Sequence, residues 1–319
     1  MAFTGATAGL AAGAQTNDTR LDYAQEATYG TSPAVAYQAL RITGESLAIT
    51  QSTSRPDEIN GVAEASQSVL TQVQASGTIS GALSSGTYDD LIAGVMGSDW
   101  ADGAITNGGI GKTYTVRRKI LDKFVLYPGS LVSQVQFQFQ QGQYAAVSVD
   151  LLSKNESVSD ADIATSVTAP TTTKVMDTVG NFLSCTVNGV APDGCVTQAT
   201  ITLSRDGAAN DYGVGHADAC GVRSGRFMAA GTLEFYFRSW AQYQDAIAGN
   251  QGEIVVRVAD AAGNGYELKF LNAALRSPKI PNSQSNQTVR ATFTIEGNPA
   301  DAGGTFTITK IVPAPPVGG

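Results

Sequence analysis

The chain has 319 residues, enough for two domains that each bury a core. Only 15% of them are charged and the net charge is −8, so the clustered Lys and Arg that grip nucleic acid phosphates are missing. Gly, Ser, Thr, Ala, Asn and Gln are abundant, which suits β-sheet with many turns and leaves too little charge for a disordered chain.

Residues 1–165 carry 9 basic and 16 acidic side chains, and residues 166–319 carry 11 and 12, so the acidity sits in the first half. Cys185, Cys195 and Cys220 are odd in number and irregular in spacing, which is not a disulfide framework. Cys185 and Cys195 could close a hairpin in an oxidising space; free thiols are the preferred reading. A single histidine, His216, and no Cys-x-x-Cys pair speak against structural zinc. The start of the chain lacks the basic and apolar stretches of a secretion signal, and no apolar run is long enough to cross a bilayer. A soluble protein made in the cytoplasm is expected.

Residues 1–35 read as an extended arm that orders only on a neighbouring subunit, because Gly30, Thr31, Ser32 and Pro33 break regular structure. A first strand follows over 38–50, interrupted near Gly44. Residues 51–66, with Pro56 and Gly61, read as a long loop or exposed hairpin, and strand character returns over 69–83. Thr87 is expected to cap a short helix over 88–96. Asp89 and Asp90 lie in its first turn, where the helix dipole favours them, and Gly97 closes it. Strands are expected at 113–118, 123–127, 131–140 and 144–152. The third alternates: Val135, Phe137 and Phe139 share one side, and Gln134, Gln136, Gln138 and Gln140 the other.

Residues 153–173 are rich in Ser, Thr and Asp and read as an interdomain linker. The pattern then restarts. A strand over 196–204 puts Thr197, Ala199, Ile201 and Leu203 on one face, and a Gly- and Asp-rich loop over 205–226 follows. Next come a strand over 226–237, a capped helix over 239–249, and strands at 254–258, 266–271, 287–295 and 305–312. The Pro-Gly tail after them is expected to be loose.

Residues 88–94 and 243–249 match at five of seven positions, 155 residues apart, and Gly77-Thr78 and Gly231-Thr232 stand 154 apart. Ser54-Arg55 and Ser204-Arg205 each sit just before a long loop. Both halves read strand, long loop, strand, helix, strands, which suggests a duplicated domain.

The order Glu26, Gly30-Thr31, Pro33, Arg41-Ile42-Thr43-Gly44-Glu45-Ser46-Leu47, Glu58-Ile59 and Gly86-Thr87-Tyr88-Asp89-Asp90-Leu91 resembles the tail tube proteins of long-tailed bacteriophages. The motif match covers roughly residues 26–95. One departure is Asn60-Gly61-Val62, where relatives tend to carry basic residues after the Glu-Ile pair. The resemblance implies a mainly β chain of two tandem tail-tube-like β-sandwich or barrel domains, each with one short flanking helix. The expected bounds are an arm at 1–35, a first domain at 36–165 and a second at 166–319. The family's domains form rings of six that stack into a hollow tube through which DNA leaves the capsid. With two domains per chain, a trimer would make a pseudo-hexameric ring. The implied place is the virion tail, assembled in the host cytoplasm. The implied partners are sister copies, other tail proteins at the ends, and double-stranded DNA that passes without specific binding.

The long loops 51–66 and 205–226 are read as bland surface or as contacts between stacked rings. The second reading is preferred because long unstructured loops are often functional. Its polar contacts would be Arg55, Asp57 and Glu58 in the first loop and Arg205, Asp206 and Asp211 in the second. The glutamine face of 131–140 could line the bore or could be a solvated outer face. Tyr88 and Tyr243 are expected to pack their helices on the sheet, with Leu91, Ile92, Ala246 and Ile247.

No cofactor, metal or catalytic residue is expected. Asp206, Asp211 and Asp218 lack the spacing and the bidentate Glu of a calcium loop. Residues 109–112 lack the spacing of a phosphate loop, and one histidine gives no credible Ser–His–Asp set. The alternative reading is a secreted or surface β-sandwich adhesin or binding module, against which the absent signal sequence counts. A β-rich glycosidase would want an aromatic cleft, and Trp100 and Trp240 are the only tryptophans.

Overall fold

A computed structural model of the chain describes residues 14–59, 61, 64–281 and 285–313. The period-two alternation of apolar and polar residues takes most of them into strands. In the first half these are β1 (Arg20–Gln25), β2 (Ala36–Ala39), β3 (Gly44–Glu45), β4 (Ala48–Ser54) and β5 (Val69–Ala82). Helix α1 (Asp89–Met96) follows, then β6 (Ala104–Thr106), β7 (Thr113–Ile120), β8 (Lys123–Gln140), β9 (Ala146–Ser153), β10 (Ser157–Ser159) and β11 (Ser166–Thr168). The second half has β12 (Phe182–Val187), β13 (Val196–Asp206), β14 (Ala209–Asp211), β15 (Gly221–Arg223) and β16 (Arg226–Tyr236). Helix α2 (Ala241–Ala248) leads to β17 (Gln251–Ala259), β18 (Gly265–Lys279), β19 (Arg290–Asn298) and β20 (Phe306–Ile311).

Strand β8 is one 18-residue strand where two shorter ones were expected. Its first part pairs with β7 and β10, and its second with β9 and β13. It is buried without a break from Phe124 to Val132 because it is covered on both faces there, and it alternates only from Gln134 on. A bulge between Val132 and Gln134 marks the change. Around it close two layers: β4, β5, β9 and the end of β8 in one, and β2, β1, β7 and the start of β8 in the other. Ile79, Phe137, Val149, Leu21, Val116 and the α1 residues Leu91 and Ile92 belong to the core between them.

The second half has the same order. β13 pairs with β16, β16 with β19, and β19 with β18, while β12, β17 and β20 continue from the start of β18. In each half the helix precedes a strand hairpin whose second strand is the long one. β13 also lies against β8, from Gln198 opposite Gln140 to Ser204 opposite Gln134. The succession β4-β5-β9-β8-β13-β16-β19-β18 is therefore antiparallel throughout. A second seam joins β6 to β20.

Three expectations change. Residues 20–25 are no free arm: β1 pairs with β7 along its whole length and buries Leu21, Asp22, Tyr23 and Ala24. Residues 1–13 of that arm lie outside the described residues. The segment 153–173 is strapped onto the first half. β10 lies on β8, β11 runs parallel to β2, and Arg41 Nη1 donates to the carbonyls of Thr171 and Thr173. The position 165/166 falls inside this strap. Finally, Tyr88 occupies the N-cap of α1, and the Thr87 hydroxyl instead meets Ser84 at 2.6 Å. Gly97 closes the helix in the left-handed region, at φ 60°, as expected.

Candidate assembly interface

In the eight-strand succession the odd positions of β8, β9 and β13 point into the core and the even positions away from it. The uncovered face carries Gln134, Gln136, Gln138 and Gln140, flanked by Ser148 and Asp150 on β9 and by Gln198, Thr200, Thr202 and Ser204 on β13. Its polar groups satisfy one another across strands. Gln134 Nε2 donates to Asp150 Oδ2 at 3.0 Å, Gln136 Nε2 to Thr202 Oγ1 at 3.1 Å, and Gln138 Nε2 to Gln136 Oε1 at 2.8 Å. Further along, Glu234 accepts from Arg290 at 3.0 Å and Glu296 from Arg276 at 3.0 Å. The bond to Glu234 holds the Arg290 guanidinium above its ordinary pKa. The face is thus polar, with its carboxylates paired or hydrogen-bonded.

The succession has two open ends. Among the described residues β4 pairs only with β5. At the other end β17 leaves β18 after Ala274, and among the described residues Arg276 to Lys279 pair only with β19. Unpaired backbone at a sheet edge is a template for another chain.

The two long loops behave differently. Arg55, Asp57 and Glu58 are exposed, as is all of β4. Ile49, Ile59, Val69 and Leu70 are exposed on the same arm. The second loop forms the β14–β15 ribbon and folds back over the first half. Ala217 accepts the Val73 N–H at 2.7 Å, Asn210 Nδ2 donates to the Ser153 carbonyl at 3.0 Å, and Lys154 meets Asp218 at 3.1 Å. Within it Asp206 pairs with Arg226 at 2.9 Å and Asp211 with Arg223 at 2.9 Å.

Arg205 is no surface contact. It is 7% exposed, and its Nε donates to the Val95 carbonyl at 2.7 Å while Nη2 reaches Gly108 at 3.2 Å. Burial lowers its pKa, and the carbonyls at the end of α1 supply the compensating negative potential. The alternation Thr197, Ala199, Ile201, Leu203 runs on to Arg205 and was the available signal for its inward direction. Sequence reading also equated Ser54-Arg55 with Ser204-Arg205, and the ladders do not. Gly77 and Gly231 are both pressed by a neighbouring strand: a Cβ on Gly77 would meet the Ser46 carbonyl oxygen at 2.5 Å, and one on Gly231 the Thr200 carbonyl oxygen at 2.3 Å. That makes Ser46 the counterpart of Thr200 and Thr50 the counterpart of Ser204.

The helices differ too. Tyr88 is fully buried and donates to the Arg41 carbonyl at 2.5 Å, and Leu91 to Met96 are all buried. In α2 only Gln242 and Ala246 are buried; Ile247, expected to pack, is 67% exposed, Trp240 is 56% exposed, and Tyr243 is half-buried. The matched seven residues are also displaced against the helix ends. Gly94 lies inside α1, whereas its sequence partner Gly249 is the left-handed cap of α2 at φ 75°.

A surface depression of about 360 Å³ is lined by Gly142, Gln143, Tyr144, Asp177 and Val179. Its one carboxylate, Asp177, accepts the N–H groups of Val179 and Gly180 at 2.8 and 2.6 Å, which lowers its pKa. Both bonds go to one oxygen, Oδ1, which serves the turn. The family model described as phage tail tube protein matches residues 16–297. No curated protein matches the chain.

Proposed function

Because the chain belongs to the phage tail tube protein family and is a structural component of the virion tail, we propose that three copies close into a ring and that rings stack into the tube along which DNA passes. The observation that supports this most is the antiparallel eight-strand succession with one open edge at each end. It consists of two four-strand runs of the same order. We read them as two copies of one tube domain, the first within residues 36–165 and the second within 166–319. Three chains then place six such runs around one axis, and closure pairs both open ends of the succession.

In this reading the uncovered polar face turns to the bore. Gln134, Gln136, Gln138 and Gln140 are neutral, and the nearby carboxylates are already paired or hydrogen-bonded. Among the described residues this face shows passing phosphates no cluster of free cations, so there is little to hold them. The β4–β5 arm, with Arg55, Asp57, Glu58 and the exposed Ile59, Val69 and Leu70, supplies contacts between stacked rings. Other tail proteins cap the ends, and assembly takes place in the host cytoplasm.

Negative-stain microscopy of the concentrated protein tests the reading. Rings with threefold symmetry, or hollow tubes, are expected. A dispersion of single particles at every concentration would overturn it.

A further inference from the structure

Where β13 lies on β8, it also fills the space beside α1. The helix rests on β8 with β13 against it, and Arg205 closes its last turn through the Val95 carbonyl. The counterpart helix α2 rests on β18; among the described residues no second strand packs beside it as β13 does beside α1, and Trp240 and Ile247 stay largely exposed. The strand that would lie there in the first half's pattern is the counterpart of β13, which the glycine contacts identify as the run Gly44 to Ser54. Its own outer edge is the open one.

We propose that the Gly44–Ser54 run of a second copy of this chain docks antiparallel along Arg276 to Pro281 and covers α2, repeating between chains the contact that β13 makes with β8 within one. This rests on the ring reading above and names its joint.

The register follows from the ladders. Both long strands carry a bulge, between Val132 and Gln134 in β8 and, one ladder step further on, between Arg276 and Lys279 in β18. Beyond the bulge Gln136 pairs with Ser148, and Lys279 pairs with Thr292. Ser148 lies opposite Ser80, two residues on from the Thr78–Asp150 pair, and Thr292 lies opposite Glu234 in the same relation to Thr232. Lys279 is thus the counterpart of Gln136. Within the chain Gln136 lies opposite Thr202. The counterpart of Thr202 is Ala48, so Ala48 of one copy is placed opposite Lys279 of the next, and Thr50 opposite Arg276 across the β18 bulge, where two residues of β18 face one of β4. Pro281 takes the place of Gln138. It offers no N–H, so the joint between chains has fewer ladder bonds than the joint within one and leans on the apolar cover of Trp240 and Ile247.

The joint is head-to-tail, because donor and acceptor surfaces differ, so it forms rings when the rotation closes. The internal repeat supplies that rotation.

Directly opposite residues of an antiparallel pair lie within disulfide reach. The test is Ala48→Cys with Lys279→Cys in full-length protein whose exposed Cys195 and Cys220 are replaced by Ser. Under mild oxidation a non-reducing gel should show a ladder of covalent species ending at three chains. Gln136→Cys with Thr202→Cys is the control, and it should close within one chain. Ile247→Asp, at an exposed site, should raise the concentration needed for ring formation at least tenfold while the monomer melts as before. Rings visible by microscopy without the Ala48–Lys279 link, or unaffected by Ile247→Asp, would overturn this joint and leave the ring reading standing. A ladder running past three chains would overturn the threefold closure. Absence of both rings and link would overturn the joint and the ring reading together.

Discussion

Tyr266, on β18, donates its hydroxyl hydrogen to Asp89, in the first turn of α1, at 2.5 Å. The same hydroxyl accepts the Gly86 N–H at 2.7 Å, and Lys310 reaches the other Asp89 oxygen at 2.5 Å from above the Trp100 ring. These contacts join the two halves beside the β6–β20 seam. Burial, with Asp89 beside it, holds the Tyr266 phenol protonated well above its ordinary range. Tyr266→Phe keeps the ring and removes the bonds, leaving the Gly86 N–H and one Asp89 oxygen without a partner. A loss of about 1–3 kcal/mol is expected from urea unfolding midpoints. An unchanged midpoint would show that this seam carries no stability.

Arg205 closes α1 from the other side. Its partners are the carbonyls of Val95 and Gly108, so its charge is stabilised by helix-end dipoles as well as by hydrogen bonds. Arg205→Leu fills similar space without donors and should cost about 2 kcal/mol. Arg205→Lys should recover little, because one ammonium does not reproduce a fork that reaches two carbonyls at once. Full recovery by Lys in thermal melts would count against the geometry.

The sequence made the strands and both helices legible where one face is buried, since Val135, Phe137 and Phe139 alternate with glutamines and no other element fits that period. It misled where context overrides pattern. Phe124 to Val132 is apolar on both faces because two layers cover it, and Pro128-Gly129 inside it looked like a break. β1 looked like a loose arm because it is short and is flanked by breakers; its partner β7 lies some 90 residues on, beyond local pattern. Arg205 looked like a surface charge because its partners are backbone carbonyls, which composition does not reveal. The match of residues 88–94 to 243–249 pointed to a repeat, yet the helix caps show it displaced by three residues, so motif identity and structural equivalence are separate facts.

The thiols offer a chemical check. Cys185 is buried, and burial pushes its thiol up to about 12, whereas Cys195 and Cys220 are exposed. The thiolate is the reactive form. In dilute unassembled protein at pH 8 a disulfide reagent should titrate Cys195 and Cys220 promptly and Cys185 only on unfolding. The sign for stability follows from the raised folded pKa. The contribution is fully present below the unfolded value of about 8.5 and falls as pH rises from there towards about 12. Cys185→Ala should flatten that part of the alkaline stability curve. Rapid reaction of all three thiols in the native protein would contradict the burial.

Asp22 and Arg117 form an ion pair with both side chains fully buried, at 2.6 Å from Nε and 2.9 Å from Nη2. The guanidinium also stacks 4.6 Å from the centre of the Tyr37 ring, and its Nη1 bonds Asp162 in the strap. The ionic bonds to Asp22 and Asp162 raise the Arg117 pKa against the opposing effect of burial. Such a pair adds little over an apolar replacement, but removing Asp22 strands much of the Arg117 charge, which keeps only the part-exposed Asp162 as a counter-charge. Asp22→Asn should therefore destabilise by about 3–5 kcal/mol. Asp162→Asn, at a side chain 42% exposed, should cost far less and should instead loosen the strap, read as faster amide exchange near β10 and β11. The double change Asp22→Leu with Arg117→Met should recover much of the loss, since it removes the stranded charge. Equal damage from Asp22→Asn and Asp162→Asn would mean that the strap, rather than the buried pair, holds β1 against β7.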